Sequence, residues 1–405
     1  MFWDRPIDQA LSRLKRHVQA PLKVVLWDGR EVDLGDAPPR VTLRFNDART
    51  AAALSRPSLL ALAQAYIEGG ADVEGDIREA IRSAEAIARA RTHETFNAAR
   101  RPGARHSRDA DRDAVQHHYD VSNAFYELWL DPRMVYSCAY FRTAADPLEQ
   151  AQVAKLDHIC TKLRLAPGER FLDIGCGWGA LAMHACARYG VQATGITLSR
   201  NQYELATERI RAAGLESRCR VIYEDYRDHA GEERYDKVAS VGMFEHVGLA
   251  NLPTYFATVR RLLRERGLFL NHGITSSNVD NRAVGMGGGE FIDRYVFPKG
   301  ELPHLHRVVR DMSAQDLEVH DVECLRPHYL RTLELWGEAY ERNFAAAAAE
   351  AGDRTARIWR LYLAGCAHAF EQRWISIYQV LASRQEKPGR ADLPLTREWM
   401  YRDRP

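Results

Sequence analysis

The sequence predicts an α/β fold, in which a doubly wound and mostly parallel sheet is joined to a smaller N-terminal α+β domain. Three features lead to this prediction. Apolar runs alternate with amphipathic stretches from residue 170 onward, a glycine-rich turn follows the first of these runs, and two short strand patterns lie between helical ones within residues 1–90. Strands that alternate with helices are typical of a parallel sheet covered by helices on both faces.

The N-terminal domain is expected to span residues 1–90. The pattern predicts a helix through about Ala20, strands within 23–29 and 40–45, and helices within 55–70 and 77–90. No cluster of titratable side chains stands out in this part of the sequence, so we expect it to serve binding or packing.

An arginine-rich segment, residues 91–112, is predicted to link this domain to a larger one at 113–405. The string "RARTHETFNAARRPGARHSRDADR", which begins at Arg89, holds seven arginines against three acids and almost no apolar residues. Two interpretations remain open, a solvated connector or a segment that attracts an anionic lipid surface.

The larger domain carries six apolar runs that we interpret as strands. They are separated by helical patterns and lie within residues 171–175, 191–198, 220–225, 235–244, 267–275 and 374–383. The alanine run at 345–349 is predicted to be helical.

Composition excludes several classes of function. Fifty-six basic and 55 acidic residues leave a formal charge of +1, which argues against nucleic acid as the main partner. The seven cysteines are scattered without metal-site spacing, so reduced thiols and no metal are expected. The early charges do not suit a signal peptide, and no long uncharged apolar run appears. A cytoplasmic protein, at most peripheral on a membrane, is the expectation.

The string "FLDIGCGWGALAM", which begins at Phe171, is the strongest local signal. A strand, a turn with Gly175, Gly177 and Gly179, and an apolar-periodic helix follow one another, as where backbone closely approaches a ligand. The pattern also fits the dinucleotide fingerprint G-x-G-x-x-A, so residues outside the glycines must separate the two nucleotide interpretations.

Polar residues at three strand ends argue against a dinucleotide. The second strand ends with Thr197 and Gln202 and lacks the acid that a dinucleotide ribose needs. Asp173 precedes the turn, where a carboxylate suits the amino-acid end of a zwitterion, and Glu224 and Asp225 can accept a hydrogen bond from an adenine amino group. Together these strand ends resemble the binding site of class I S-adenosylmethionine-dependent methyltransferases.

A second polar cluster is expected at the same edge of the sheet. Glu245 and His246 follow the fourth strand, His272 ends the fifth, Tyr329 precedes a helix, and Cys138 lies in "VYSCAYF". A single histidine on a strand is more often a core residue, but convergence beyond the carboxyl ends of the strands favours a site.

Longer strings resemble a known family. "QHHYDVSNAFYELWLDPRMVYSCAYF", "GITLSRNQ", "SVGMFEHVG", "NHGI", "GGEFIDRYVFPKGELP" and "LRPHYLRTLELW" are similar to segments of cyclopropane-fatty-acyl-phospholipid synthases and their relatives that modify mycolic acids. The resemblance runs from about Gln116 to the C-terminus, and "YIEGGADVEGDIREAI" resembles the lipid-binding domain of the phospholipid-acting members. It implies a class I methyltransferase-type sheet, S-adenosylmethionine as cofactor, a homodimer, and peripheral association with the inner face of the membrane.

The resemblance also assigns residues. It implies a bicarbonate ion held by Cys138, Glu245, His272, Ile274 and Tyr329. The cofactor would be lined by Tyr136, Ser137, Asp173, Gly175, Gly177, Gly179, Thr197, Gln202, Glu224 and Asp225. Cys366 matches a further cysteine regarded as an active-site candidate, although a small residue among helical alanines is usually a packing residue.

The implied reaction is methylene transfer to the cis double bond of unsaturated phospholipid acyl chains, which forms a cyclopropane ring. An isolated alkene is a weak nucleophile, so a strong electrophile must be held in line with it, and ring closure then needs a base. Two other functions remain open. They are a fatty-acyl C-methylation that gives methyl-branched or methylene chains, and a non-catalytic lipid carrier, against which the complete set of pocket residues argues. For Cys138, contact with the ion and simple space-filling both remain open.

Overall fold

The computed structural model describes most of the chain as two compact units. The described residues are 4–90, 121–230, 235–280, 285–298, 300–385 and 392–401. The first unit comprises residues 4–90, 285–298 and 336–372, and the second comprises the other described residues. The predicted linker, 91–112, lies outside the described residues, and the domain boundaries remain predictions.

A four-stranded sheet forms the centre of the first unit. Its strands are β1 (Leu22–Val25), β2 (Glu31–Asp33), β3 (Val41–Phe45) and β4 (Ala71–Gly75), in the order β2-β1-β3-β4. β1 and β3 are parallel, and the other two pairings are antiparallel. The sequence analysis missed β2 and β4, because both are short and carry acidic residues that depart from a strand pattern.

Helices complete the first unit, some on the sheet and others on those helices. Asp47, Ser58 and Asp76 each accept a backbone N–H in the first turn of a helix, which satisfies a donor that the helix itself leaves unpaired. The helices are Asp4–His17, Ala48–Ala51, Leu59–Ile67, Ile77–Arg89, Gly288–Tyr295, Phe344–Ala351 and Asp353–Glu371, with a 3-10 turn at Ala52–Ser55.

The second unit contains a seven-stranded sheet. Its strands are β5 (Arg170–Ile174), β6 (Gln192–Thr197), β7 (Cys219–Tyr223), β8 (Tyr235–Val241), β9 (Leu263–Ser276), β10 (Leu317–Cys324) and β11 (Ile375–Arg384). The order is β10-β11-β9-β8-β5-β6-β7, and only the pairings of β11 are antiparallel. All six predicted strands are present, whereas β10 was missed.

Helices cover both faces of this sheet, as predicted. One apolar cluster includes Leu156, Leu181 and Ile210, and another includes Phe256 and Met312. Burial of apolar side chains on both faces is the main stabilising term for such a sheet. The helices are Asn123–Glu127, Leu148–Lys162, Ala180–Tyr189, Arg200–Ala212, Leu252–Leu262, Leu305–Ser313 and the start of Arg326–Arg342, with 3-10 turns at Phe244–His246 and Glu398–Met400.

The strand order reverses beside β5. The chain runs from β5 to β6 on one side and returns through β8 on the other, so that Ile174 lies opposite both Ile196 and Ser240. In a doubly wound sheet, ligands bind at such a switch point beyond the carboxyl ends of the strands. The fold therefore predicts where a site should lie.

Candidate active site

An open cleft lies at that switch point. It encloses about 1120 Å³, solvent at its mouth included, and its wall is built from the ends of β5, β6, β7 and β8 together with the segment before helix Leu148–Lys162. Eight residues predicted to line a cofactor do line the cleft: Tyr136, Ser137, Asp173, Gly175, Gly177, Thr197, Gln202 and Glu224.

The glycine turn shapes the floor of the cleft. Gly175 has a φ of +77°, and a Cβ built there would lie 2.7 Å from Met243 Cγ, so a larger residue would displace the loop after β8. A Cβ at Gly177 would meet no atom within 4 Å, but its φ of +54° also favours glycine. Gly179 does not line the cleft and instead precedes helix Ala180–Tyr189.

A hydroxyl and an amide close the end of β6. Thr197 Oγ1 donates to Gln202 Oε1 over 2.8 Å, and both side chains are buried. Ser199 Oγ accepts from the backbone N–H of Gln202 at 3.4 Å, which fixes the start of helix Arg200–Ala212. This strand end therefore presents neutral polar groups to a ligand.

The two acids after β7 have different surroundings. Asp225 does not line the cleft, and its Oδ2 accepts a hydrogen bond at 2.6 Å from Arg227, which does line it. Glu224 lines the cleft, and its Oε2 accepts a hydrogen bond from His229 Nδ1 at 2.8 Å. Glu224 is thus the acid that a ligand in this cleft would meet, and a cofactor role for either acid remains a prediction.

A buried carboxyl and a buried ammonium remain in the cleft wall. Asp173 Oδ1 has no hydrogen-bond partner in the described part of the chain, and burial raises the pKa of this carboxyl to about 7. Lys155 Nζ donates to Ser137 Oγ over 2.8 Å, and burial lowers the pKa of this lysine to about 8. The sequence analysis missed Lys155, because a lysine within an amphipathic helix is normally a surface residue.

Glu245 lies beside the backbone of β9. Its Oε1 accepts from the Ile274 N–H at 2.7 Å, whereas Oε2 is buried and has no partner among the described residues. Burial raises the pKa of Glu245 to about 7. The Phe244–Glu245 turn lies directly against Gly273 of β9, since a Cβ at Gly273 would lie 2.0 Å from the ring of Phe244. Glycine at this position therefore allows the carboxyl group to reach the Ile274 N–H.

His272 presents a single nitrogen to the site. Gln379 lies opposite it on β11, with Gln379 Nε2 at 3.3 Å from His272 Nδ1. Burial lowers the pKa of His272 well below its usual value, so the ring is neutral at pH 7. With the amide in this orientation its NH₂ donates, so Nδ1 accepts and the proton is assigned to Nε2. His272 Nε2 is buried and has no partner among the described residues. Sequence reasoning missed Gln379.

The thiol of Cys138 and the backbone N–H of Tyr329 share one carbonyl acceptor. The Cys138 Sγ lies 3.3 Å from the carbonyl oxygen of Ala139 and 3.9 Å from that of Leu325, which also accepts the Tyr329 N–H at 3.0 Å. Burial raises the pKa of Cys138 far above its usual value, so the group is a neutral thiol rather than a nucleophilic thiolate.

Gly242 lies between Ser137, which lines the cleft, and His272 of β9. A Cβ at Gly242 would lie 3.9 Å from Ser137 Cβ, and the Gly242 N–H donates to the His272 carbonyl at 2.8 Å. Tyr140 stacks with His158 and His328, at centroid distances of 4.2 Å and 4.8 Å, which anchors the irregular segment that carries Cys138.

Cys366 belongs to the first unit, on helix Asp353–Glu371. It is half-buried, and burial raises the pKa of its thiol to about 12. Its proposed role in catalysis remains a prediction.

Two searches of the described residues were negative. They contain no group of three or more His, Cys, Asp or Glu side chains placed to hold a metal ion. No helix in the described ranges is long and apolar enough to cross a membrane.

The chain is similar to proteins of known name. Residues 106–380 match the family described as mycolic acid cyclopropane synthetase, and residues 10–95 match one described as a domain of unknown function. A probable fatty acid methyltransferase of Pseudomonas putida is 50% identical over 383 residues, 94% of this chain and 96% of the relative. The cyclopropane-fatty-acyl-phospholipid synthase of Escherichia coli K12 is 40% identical over 272 residues, 67% of this chain and 68% of the relative.

Solved structures give the same answer for the fold. Mycolic acid cyclopropane synthase CmaA1 complexed with SAH and CTAB is 35% identical and superposes with a TM-score of 0.64, over 67% of this chain and 98% of that one. The class I methyltransferase-type sheet predicted from the sequence is confirmed.

Proposed function

The chain belongs to the mycolic acid cyclopropane synthetase family and is an S-adenosylmethionine-dependent enzyme of fatty-acyl modification, and we propose that it forms cyclopropane rings. The substrates are the cis double bonds of unsaturated phospholipid acyl chains, and bicarbonate is the proton acceptor. The enzyme works at the inner face of the membrane, in the cytoplasm, as a homodimer.

The observation that carries this proposal is the pair of buried polar atoms at Glu245 and His272. Glu245 Oε2 is an acceptor and His272 Nε2 is a donor, and neither has a partner in the described part of the chain. Leaving two buried polar groups unpaired costs about 1–3 kcal/mol each. A small group that both donates and accepts hydrogen bonds would supply what each atom lacks. Bicarbonate is such a group, and the family resemblance assigns both residues to it.

Each residue of the set has a separate task. Glu245 accepts the hydrogen bond of a protonated oxygen, and the Ile274 N–H fixes the position of its carboxyl group. His272 donates from Nε2 in the tautomer that Gln379 selects. Cys138 supplies a small neutral wall, and Tyr329 is held next to it through Leu325. Bicarbonate, when bound, supplies a base for the proton that is lost as the ring closes.

The cleft residues hold the cofactor. S-adenosylmethionine, when bound, supplies the sulfonium methyl group. Gly175 and Gly177 let the backbone approach it, Thr197 and Gln202 present neutral polar groups, and Glu224 offers a carboxylate at the end of β7. Positioning of the methyl donor against the double bond accounts for much of the expected rate.

One observation favours a second candidate. The relative that is 50% identical over 94% of this chain is named a probable fatty acid methyltransferase, not a cyclopropane synthase. The alternative product is a methyl-branched or methylene chain, formed at the same double bond with the same donor. The complete bicarbonate set favours the ring.

The product mass separates these functions. The full chain is expressed in a host that lacks such an enzyme, and its phospholipid fatty acids are analysed by mass spectrometry. Our proposal predicts a gain of one CH₂ in chains that resist mild hydrogenation. A CH₂ gain in chains that take up H₂ on mild hydrogenation indicates a methylene or unsaturated methyl-branched chain. A gain of one CH₄ indicates a saturated methyl branch, for which a reductase of the host must add H₂ to that chain. Unmodified acyl chains would contradict both candidates.

A further inference from the structure

Lys155 is an unusual residue in the cleft wall. It lies near the middle of helix Leu148–Lys162, is 2% exposed, and is one of the residues that line the cleft. A buried ammonium is costly unless it is paired or well hydrogen-bonded. Such a residue in a ligand cleft therefore calls for a partner.

Among the described residues, the one hydrogen-bond partner of Lys155 is neutral. Lys155 Nζ donates to Ser137 Oγ at 2.8 Å, and no described carboxylate lies within ion-pair distance of Nζ. Because an ammonium group only donates, the Ser137 oxygen must accept. The hydroxyl hydrogen of Ser137 is then directed elsewhere, and Ser137 itself lines the cleft.

The other charged side chains that line the cleft show the contrast. Arg227 is paired with Asp225, and Glu224 is paired with His229. Lys155 and Asp173 have no ion pair with a described residue, and Asp173 Oδ1 has no hydrogen-bond partner there. These two groups act on each other electrostatically, but no hydrogen bond or ion pair joins them. Each therefore lacks a direct charged partner among the described residues.

A zwitterionic α-amino acid group matches this pattern. It carries one carboxylate and one ammonium on the same carbon, and the methionyl end of S-adenosylmethionine is such a group. We propose that Lys155, together with the hydroxyl of Ser137, binds the carboxylate of the methionyl group while Asp173 receives its ammonium. The inference rests on S-adenosylmethionine as cofactor and not on the ring-forming outcome.

A second oxyanion could use the same charge. Lys155 acts electrostatically on Cys138 and His272 as well, so bicarbonate is the competing ligand. The direct geometry favours the cofactor, because Lys155, Ser137 and Asp173 line the cleft that also contains the glycine turn.

The test compares two ligands that differ in one carboxylate. Calorimetry measures the affinity of the full-length protein for S-adenosylmethionine and for decarboxylated S-adenosylmethionine, without lipid. Lys155→Met is expected to weaken the first roughly 30-fold and to leave the second within about threefold, since only the first loses a buried charge partner. Lys155→Arg should recover part of the loss.

Matched controls guard against a folding effect. Lys237→Met makes the same substitution at a mostly buried lysine near the amino end of β8, outside the cleft, and should leave both affinities unchanged. Binding of 5′-methylthioadenosine, which lacks the amino acid group, reports the intact nucleoside site in each variant.

Two results would overturn the proposal. One is an equal loss of affinity for both ligands in Lys155→Met while 5′-methylthioadenosine still binds. The other is unchanged affinity for S-adenosylmethionine with a higher bicarbonate requirement for turnover, which would assign the charge to the ion site. Neither result depends on which acyl product forms, so failure of this inference is distinct from failure of the proposed function.

Discussion

Helix Leu148–Lys162 carries two buried lysines whose surroundings differ. Lys162 is fully buried, and its Nζ lies 3.2 Å from Asp321 Oδ2 and 2.5 Å from Glu323 Oε2. Lys155, two turns earlier, has a single hydroxyl partner in the described structure. The charge of Lys162 is paired by carboxylates of the protein itself. For Lys155, we infer that the charged partner is a bound ligand.

The buried carboxyl groups show the same contrast. Burial alone would raise the pKa of Glu323, but the hydrogen bond from His158 and the charge of Lys162 outweigh it and lower that pKa to about 2. Glu245 has no such cation among the described residues, and burial raises its pKa to about 7. Buried groups with unmet hydrogen bonds are therefore the candidates for ligand binding.

The largest expected effect on stability is at the paired lysine. Lys162→Met leaves Glu323 and Asp321 without their shared cation, and removing one member of a buried ion pair costs about 3–5 kcal/mol. Urea denaturation of the full chain measures this as a lower midpoint. Lys155→Met removes a charge that lacks an ionic partner and should cost little or be stabilising, so equal losses in the two variants would refute the distinction.

Glu245→Gln tests the unmatched carboxyl group. Glutamine keeps an oxygen to accept the Ile274 N–H but replaces the unpaired acceptor, Oε2, with a donor. We expect turnover to fall by roughly 100- to 1000-fold, as for loss of one preorganised hydrogen bond at a reacting centre. Affinity for S-adenosylhomocysteine should stay unchanged. Unchanged turnover would exclude Glu245 from the reaction.

The pH dependence of cofactor affinity tests the unmatched pair. Asp173, with a pKa of about 7, must be ionised to receive an ammonium, so affinity is lost as the pH falls below 7. Lys155, with a pKa of about 8, must be protonated, so affinity is lost as the pH rises above 8. Calorimetry with S-adenosylhomocysteine should show a maximum between these values, with changes up to about tenfold per pH unit outside them.

Two controls test whether the loss of affinity at low pH comes from Asp173 and whether the pH dependence comes from the amino acid group of the ligand. Asp173→Asn should remove the acidic limb, and 5′-methylthioadenosine should give a flat profile. Asp131 also acts on Lys155 and favours its protonated form, but it does not pair with it. A flat profile for S-adenosylhomocysteine would contradict the charge pairing.

The smallest expected effect is at Cys138. Serine keeps a small donor for the Ala139 carbonyl, so Cys138→Ser should change turnover only a few-fold, or about 1 kcal/mol. Cys138→Leu overfills a fully buried site and should cost about 1–3 kcal/mol of stability as well as activity. Steady-state turnover and thermal unfolding measure both. Full activity of the leucine variant would show that the thiol does not border the site.

Sequence reasoning located residues that follow strand ends, because topology alone places them. Asp173, Thr197 and Glu224 each follow or end a strand, and all three line the cleft. Lys155 lies within a helix and Gln379 within a strand, and a polar residue inside a regular element has no local pattern that marks it as buried.

Adjacent polar residues and edge strands were also difficult to predict from the sequence. Glu224 and Asp225 are neighbours just after the end of β7, and sequence alone does not tell which of the two carboxylates lines the cleft. β10 was missed because only two of its eight residues are buried and its acids resemble a helix surface.

Bicarbonate depletion tests the central claim, that the unpaired atoms of Glu245 and His272 belong to an ion site. The purified full-length enzyme is assayed on vesicles of unsaturated phospholipid in buffer freed of carbon dioxide, and bicarbonate is then restored. The account predicts that turnover is lost on depletion and recovered on restoration in the wild type, and that Glu245→Gln does not respond. Full turnover of the wild type in bicarbonate-free buffer would contradict it.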